Sequence, residues 1–283
     1  MGLIEIRPGR KVWVETHSPP AKSSSIAILV HGSCARLEQY AAQLELLHNA
    51  GIATAAYDYL GCGRSDKPNQ YSAYAASELY ADLQAVFRKY SEGYTRVVLI
   101  GHSYGCYLVN RLASTEEVRE KVSVVVLIGA GYPVAGYNHL RWIFYLPTFV
   151  LAWLQPFLTD QFIKLAFHPD TFHTNPALIE RERGWSNQNP PYMFRAFHLQ
   201  ALSLFRDAAE YDGWLRQIRA PVLAIAGDKD ALTPLLLGKM VVKRVRSGQA
   251  HEIALGGHQV MEEQPAAFNE MLLGFLKEHS PAS

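Results

Sequence analysis

A chain of 283 residues is long enough for one large mixed domain with a substantial core. Hydrophobic residues make up 49% and charged residues 19%, which excludes a disordered or fibrous chain. A net charge of +1 with no basic stripe argues against nucleic acid as a partner.

In chain order, Met1-Gly2-Leu3-Ile4-Glu5-Ile6 carries an acid and lacks the apolar core of a secretion signal. Ile6 stands where a myristoylation motif wants Ser or Thr. Lys11–Thr16 reads as an antiparallel strand near a sheet edge. Strands are then predicted at Ile26–Val30, Ala53–Tyr57, Arg96–Ile100, Val122–Ile128, Pro221–Ala226 and Gln249–Ala254. Val97–Ile100 and Val124–Ile128 are apolar without alternation, as strands buried on both faces of a parallel sheet should be. Helical spacing runs from Leu37 to Ala50 before Gly51, and from Tyr74 to Tyr90 before Gly93. The alternation predicts a doubly wound, mostly parallel α/β sheet.

The rhythm breaks after Gly131. Residues 132–216 show aromatics, prolines and helical patches without a convincing strand, and strand rhythm resumes at Pro221. The expectation is a core domain built from residues 1–131 and 217–283, with a helical cap, 132–216, inserted between them. The longest apolar run, Ile143–Leu158, is short for a membrane span and carries Pro147 and Pro156. Cys34, Cys62 and Cys106 lie far apart without metal-ligand spacing and read as free thiols. A cytoplasmic protein is expected.

The strand ending at Ile100 runs into Gly101-His102-Ser103-Tyr104-Gly105, and a helix pattern follows. This is a G-x-S-x-G turn in strand–turn–helix context, which exposes the Ser103 hydroxyl at the carboxyl end of a strand. Glycines flank it because the turn has no room for side chains there. A serine nucleophile needs a base, itself oriented by an acid. After Pro221–Ala226 comes Gly227-Asp228-Lys229-Asp230, and after the last strand comes Gly256-Gly257-His258. Acid and histidine thus follow two successive late strands. His258 is the candidate base and Asp230 the candidate acid. Asp228 sits at the strand end and is expected to tie down the turn. The loop past Ile128 offers only Gly129-Ala130-Gly131.

A tetrahedral oxyanion needs two N–H donors. Tyr104, next to the nucleophile, is one. Ser33, in the loop His31-Gly32-Ser33-Cys34 after an early strand, is the other. His31 is expected to hold that loop rather than to act as a second base.

Together these elements resemble the α/β-hydrolase superfamily across nearly the whole chain: His31-Gly32, Asp58–Asp66, Gly101–Gly105, Gly227–Pro234 and Gly257-His258. Val86–Tyr90, Leu99–Gly105 and Leu146–Leu151 are also similar to the animal α/β-hydrolase-domain proteins of subgroup eight. The resemblance implies an α/β-hydrolase fold and serine hydrolase activity with no cofactor, and leaves the substrate open. Serine at the elbow argues against epoxide hydrolases and haloalkane dehalogenases, which look similar but use aspartate there.

The run Trp142–Trp153 is unusually apolar. It reads as the buried face of a cap helix that also offers Phe144, Phe149 and Trp153 to an apolar, lipid-like ester, with weak membrane-surface contact as a further expectation. The histidines His139, His168, His173 and His198 lack metal spacing. The expected chemistry is ester cleavage through an acyl-enzyme. A thioesterase, C–C hydrolase, peptidase or perhydrolase would use the same three residues, and a non-catalytic ligand-binding module would use the same fold. Oligomeric state is not legible.

Overall fold

The computed structural model describes residues 1–19, 23–133, 141–200 and 207–279. Eight strands form one sheet: β1 Gly2–Arg7, β2 Arg10–His17, β3 Ser25–Val30, β4 Ala53–Tyr57, β5 Arg96–His102, β6 Val122–Ile128, β7 Val222–Gly227 and β8 Gly248–Ile253. Their spatial order is β1-β2-β4-β3-β5-β6-β7-β8. β1, β2 and β4 pair antiparallel, and every pairing from β4 through to β8 is parallel. The sheet is mostly parallel, as the strand–helix alternation predicts.

β3, β4 and β7 are buried at every residue, which explains why they are apolar apart from Ser25 and Thr54. β8 lies at an edge and is mostly exposed, so its sequence is polar. β1 escapes the sequence reading for a related reason. It alternates half-buried and exposed residues at the opposite edge, and joins β2 through Pro8-Gly9, where Gly9 takes φ +72°.

Helices α1 (Ala41–Asn49), α2 (Ala76–Tyr90) and α3 (Tyr104–Ser114) follow β3, β4 and β5. Both early helices begin later than their apolar spacing predicts, each after a tight 3-10 turn, at Leu37–Tyr40 and Tyr71–Tyr74. The first turn is held by Asp58 Oδ1, which accepts the Leu37 N–H at 2.8 Å. Between β6 and β7 the described residues form helices and no strand: α4 (Thr148–Ala166), α5 (Thr171–Thr174), α6 (Pro176–Asn187), α7 (Pro191–Gln200) and α8 (Ala208–Gln217). α9 (Leu235–Val242), α10 (Val260–Glu263) and α11 (Pro265–His279) complete the chain. Among the described residues no helix is long and apolar enough to cross a membrane.

Two cores sandwich the sheet. One joins strand residues such as Ile28 and Leu99 to Leu83 of α2 and Leu108 of α3. The other joins Leu29 and Ile100 to Leu47 of α1 and Phe268 and Leu272 of α11. The chain leaves β3 for β4 on one side, then returns to place β5 on the other. In open α/β sheets such a reversal opens a crevice at the carboxyl ends of the strands. Here it separates β3 from β5, whose ends lead to Gly32 and Ser103.

Candidate active site

Ser103 takes φ 50° and ψ −115° between β5 and α3, a left-handed conformation that a side chain rarely adopts. The turn is fixed by packing. A Cβ on Gly105 would lie 2.2 Å from the Val30 carbonyl oxygen, and one on Gly101 would lie 2.7 Å from the Gly105 carbonyl. The Ser103 N–H donates to the Ile128 carbonyl at 2.8 Å, pinning the elbow to β6.

The β3 loop touches the elbow. A Cβ on Gly32 would meet His102 Nδ1 at 2.9 Å and Ser103 Cβ at 3.3 Å. Ser33 follows, and Cys34 turns the chain back at φ 56°. Neither the Ser33 N–H nor the Tyr104 N–H has a hydrogen-bond partner among the described residues. Tyr104 opens α3, so its N–H lies at the positive end of the helix. His31 is fully buried; its Nδ1–H donates to Gly32 O at 2.7 Å and its Nε2 accepts the Tyr59 N–H at 2.9 Å. Burial lowers its pKa to about 4, so it stays neutral and holds the loop, as expected of it.

Asp230 and His258 are 4% and 3% exposed and hydrogen-bonded, Nδ1 to Oδ2, at 2.9 Å. The Thr233 hydroxyl donates to Asp230 Oδ2 at 2.9 Å and stands 3.0 Å from His258 Nδ1. Asp230 Oδ1 accepts the N–H groups of Leu232 at 3.0 Å and Thr233 at 2.8 Å. Burial pushes this carboxyl up, but His258 and the Thr233 donors outweigh it and hold the group well below the usual carboxylate range. Asp228 accepts the Gly256 N–H at 3.2 Å, a turn-holding contact.

The imidazole lies on the same strand end as Ser103. A Cβ on Gly129, the residue after Ile128, would come within 2.9 Å of the His258 ring. His102 packs against His258 with ring centroids 4.7 Å apart, and its Nε2–H donates to the His258 carbonyl at 3.0 Å. Thus Ser103, Tyr104, Ser33, Asp230 and His258 converge on the carboxyl ends of β3, β5, β6 and β7. Among the described residues no hydrogen bond joins Ser103 Oγ to His258.

Phe144, Phe149 and Trp153 do not join this cluster. Phe144 stacks on His198 and packs edge-on to Phe194 of α7. Phe149 and Trp153 are 75% and 80% exposed on α4. Instead Phe197 of α7 meets Tyr104, with centroids 4.9 Å apart. All three cysteines are free thiols, and burial pushes Cys34 up to about 12. Among the described residues no group of His, Cys, Asp and Glu forms a metal site. His139 lies outside the described residues.

Over residues 27–271 the sequence matches the Alpha/beta hydrolase family. The chain belongs to that family. This α/β hydrolase is 25% identical over 277 residues to epoxide hydrolase 3 of Xenopus tropicalis, across 91% of this chain and 72% of that protein. It superposes on a thermophilic esterase from Thermogutta terrifontis with TM-score 0.80 and 20% identity, covering 96% of this chain and 95% of the other. A bromoperoxidase from Bacillus anthracis gives TM-score 0.81 at 21% identity, covering 98% and 99%. At those identities the structural likeness speaks for the fold alone. The bond that this α/β hydrolase cleaves has to be argued from its own residues.

Two contributors to the site escaped the sequence reading. Thr233 lies within the Gly227–Pro234 loop, but spacing carries no sign that its hydroxyl meets both Asp230 and His258. Glu263 follows His258 by five residues, and two of its three partners, His168 and Thr171, belong to a distant part of the chain.

Proposed function

We propose that this protein is a serine hydrolase that cleaves a carboxylic ester of a largely apolar substrate through an acyl-enzyme on Ser103. The observation that carries the reading is the hydrogen-bonded Asp230–His258 pair beside a serine in the left-handed elbow.

In the proposed reaction His258 Nε2 takes the Ser103 proton while Oγ attacks the ester carbonyl carbon. The carbonyl oxygen becomes an oxyanion that accepts hydrogen bonds from the Ser33 and Tyr104 N–H groups. The C–O bond to the leaving alcohol then breaks, and His258 returns the proton to that oxygen. Water, deprotonated by His258, attacks the acyl-enzyme, and release of the carboxylic acid restores Ser103. Asp230 fixes the tautomer with Nδ1 protonated and stabilises the transient imidazolium. No step calls for a cofactor.

The helices between β6 and β7 act as a cap in this reading, because they contact the β3 loop, Tyr104 and the His258 loop. Phe197 against Tyr104 supports an apolar substrate at the elbow, and Phe144, Phe149 and Trp153, which lie outside the cluster, are proposed only as an apolar approach to it for a lipid-like ester. The exposed aromatic face of α4, in a stretch of sequence without acids, is proposed to make weak contact with a lipid surface.

The test is labelling with a fluorophosphonate together with turnover of a chain-length series of p-nitrophenyl esters. Labelling at Ser103, and loss of both labelling and turnover in Ser103→Ala, are expected. Full turnover in Ser103→Ala would sink the mechanism, and an unlabelled native protein would point to a non-catalytic binding module.

A further inference from the structure

We infer that Glu263 is a positioning residue that fixes the His258 imidazole by bracing its loop against the helices between β6 and β7. The inference rests on the serine-hydrolase reading above and names what holds the base of that reaction in place.

His258 is hydrogen-bonded at almost every polar atom. Its backbone N–H donates to the Ala166 carbonyl at 2.6 Å, at the carboxyl end of α4. Its carbonyl accepts His102 Nε2–H, and Nδ1 is engaged by Asp230 and Thr233. Nε2 alone has no partner among the described residues. The imidazole is aimed by Asp230 and Thr233 together with its own backbone, and that backbone is held from the α4 side.

Glu263 completes that hold. Its Oε1 accepts the Gly257 N–H at 2.8 Å, immediately before His258. Its Oε2 accepts the His168 N–H at 2.8 Å and the Thr171 hydroxyl at 2.6 Å. One carboxylate thus ties the loop carrying His258 to the segment between α4 and α5. The two backbones are in direct contact, leaving no slack. A Cβ on Gly257 would lie 2.5 Å from the Ala166 carbonyl oxygen and 2.7 Å from the His168 nitrogen. A shift of residues 166–171 therefore has to move Gly257 and His258 with it.

All three partners present protons, so the position needs two acceptor oxygens. Glutamine has the same shape but offers one oxygen and one NH2, which sets a donor against a donor whichever way it turns. Thr171→Val removes one brace on the α5 side and leaves the bond to Gly257 intact.

The experiment measures fluorophosphonate inactivation of the full chain, resolved into kinact and KI, with the melting temperature of each variant. Glu263→Gln is expected to lower kinact about 10–100-fold with KI changed by less than about threefold, since misplacing a reacting group costs rate rather than binding. Thr171→Val is expected to lower kinact about 3–10-fold at an unchanged melting temperature. The downfield proton resonance of His258 Nδ1–H should shift in both. Native kinact in Glu263→Gln would overturn the inference. If Glu263→Gln fails to fold, native kinact and an unmoved resonance in Thr171→Val would overturn it instead. Ser103→Ala run alongside separates the two levels: labelling there overturns the serine-hydrolase reading itself.

Discussion

The Thr233 hydroxyl closes a triangle with the Asp230–His258 pair, 2.9 Å from the carboxylate and 3.0 Å from Nδ1. Thr233→Val removes that oxygen but keeps the backbone donors to Asp230 Oδ1. The valine leaves His258 Nδ1–H with Asp230 alone and strips one donor from a buried carboxylate. Ester turnover is expected to fall about 3–10-fold, against about 10²–10⁴-fold for Asp230→Asn, which presents the wrong group to Nδ1. Turnover of Thr233→Val equal to the native protein would show that the hydroxyl plays no part in orienting the base.

The elbow glycines make a second prediction, this time on stability. A Cβ at Gly105 would collide with the Val30 backbone at 2.2 Å, and backbone cannot swing aside as a side chain can. Gly105→Ala should cost at least about 3 kcal/mol and lower the urea midpoint, whatever it does to activity. Gly184 lies inside α6 with nothing within 4 Å of the added atom, so Gly184→Ala should stabilise by about 0.5–1 kcal/mol. Equal midpoints for the two variants would contradict the packing described for the turn.

How far the sequence carried is clear from individual residues. Ser103 was legible because a tight turn after a buried strand demands glycines that can be seen. Asp230 and His258 were legible as the polar residues that end two late strands, and the structure places them 2.9 Å apart. Thr233 and Glu263 were not, since each acts through a contact that depends on how loops meet in space. β1 was lost because an edge strand buries too little to leave an apolar run. The orientation of α4 was illegible for another reason: Gln155 and Thr159 face inward while Phe149, Trp153 and Phe157 face outward, so its apolar pattern does not mark the buried side.

A pH-dependent prediction comes from the contact between α6 and α10. Arg181 lies between two buried carboxyls, 3.2 Å from Glu182 and bonded also to Glu262. Burial raises Glu182 from an ordinary 4.5 to about 7, with Arg181 opposing the shift, and burial and Glu182 together raise Glu262. At pH values below about 4.5 folded and unfolded chains both hold the Glu182 proton. Between about 4.5 and 7 only the folded chain does, so this contribution to stability is lost as pH rises through that window. Glu182→Gln has no proton to lose. Its melting temperature relative to the native protein should therefore climb by at least about 3 °C between pH 5 and pH 8, read by differential scanning fluorimetry. A pH-independent difference would count against a raised Glu182.

The last prediction concerns the outer face of α4, where packing is inverted. Its buried stripe includes Gln155 and Thr159 beside Leu151 and Ile163, while Phe149, Trp153 and Phe157 stand 75%, 80% and 60% exposed. Spaced four residues apart, these three share one face. Just before α4, Trp142 and Tyr145 are 62% and 60% exposed and three residues apart in a 3-10 turn, which aligns them. Five such aromatics expose on the order of 600 Å², the upper end for the largest apolar patch of an ordinary monomer, where such patches are often functional. The charge pattern selects the partner. No acid occurs in the sequence from Lys121 to Thr159, Asp160 is paired with Arg183 at 2.8 Å, and Lys164 is exposed on the following turn. An apolar, aromatic face free of unpaired acid suits an anionic lipid surface, on which α4 would lie flat, since no described helix is both long and apolar enough to cross. The native protein should pellet with phosphatidylcholine vesicles carrying phosphatidylglycerol, with Trp fluorescence shifting to the blue, and added salt should weaken the binding. Changing Phe149, Trp153 and Phe157 together to serine should cut that partition at least about tenfold at an unchanged melting temperature. Equal partition of the two proteins, or none by either, would overturn the lipid reading. A native dimer that the triple variant disperses would assign the face to a second copy of the chain.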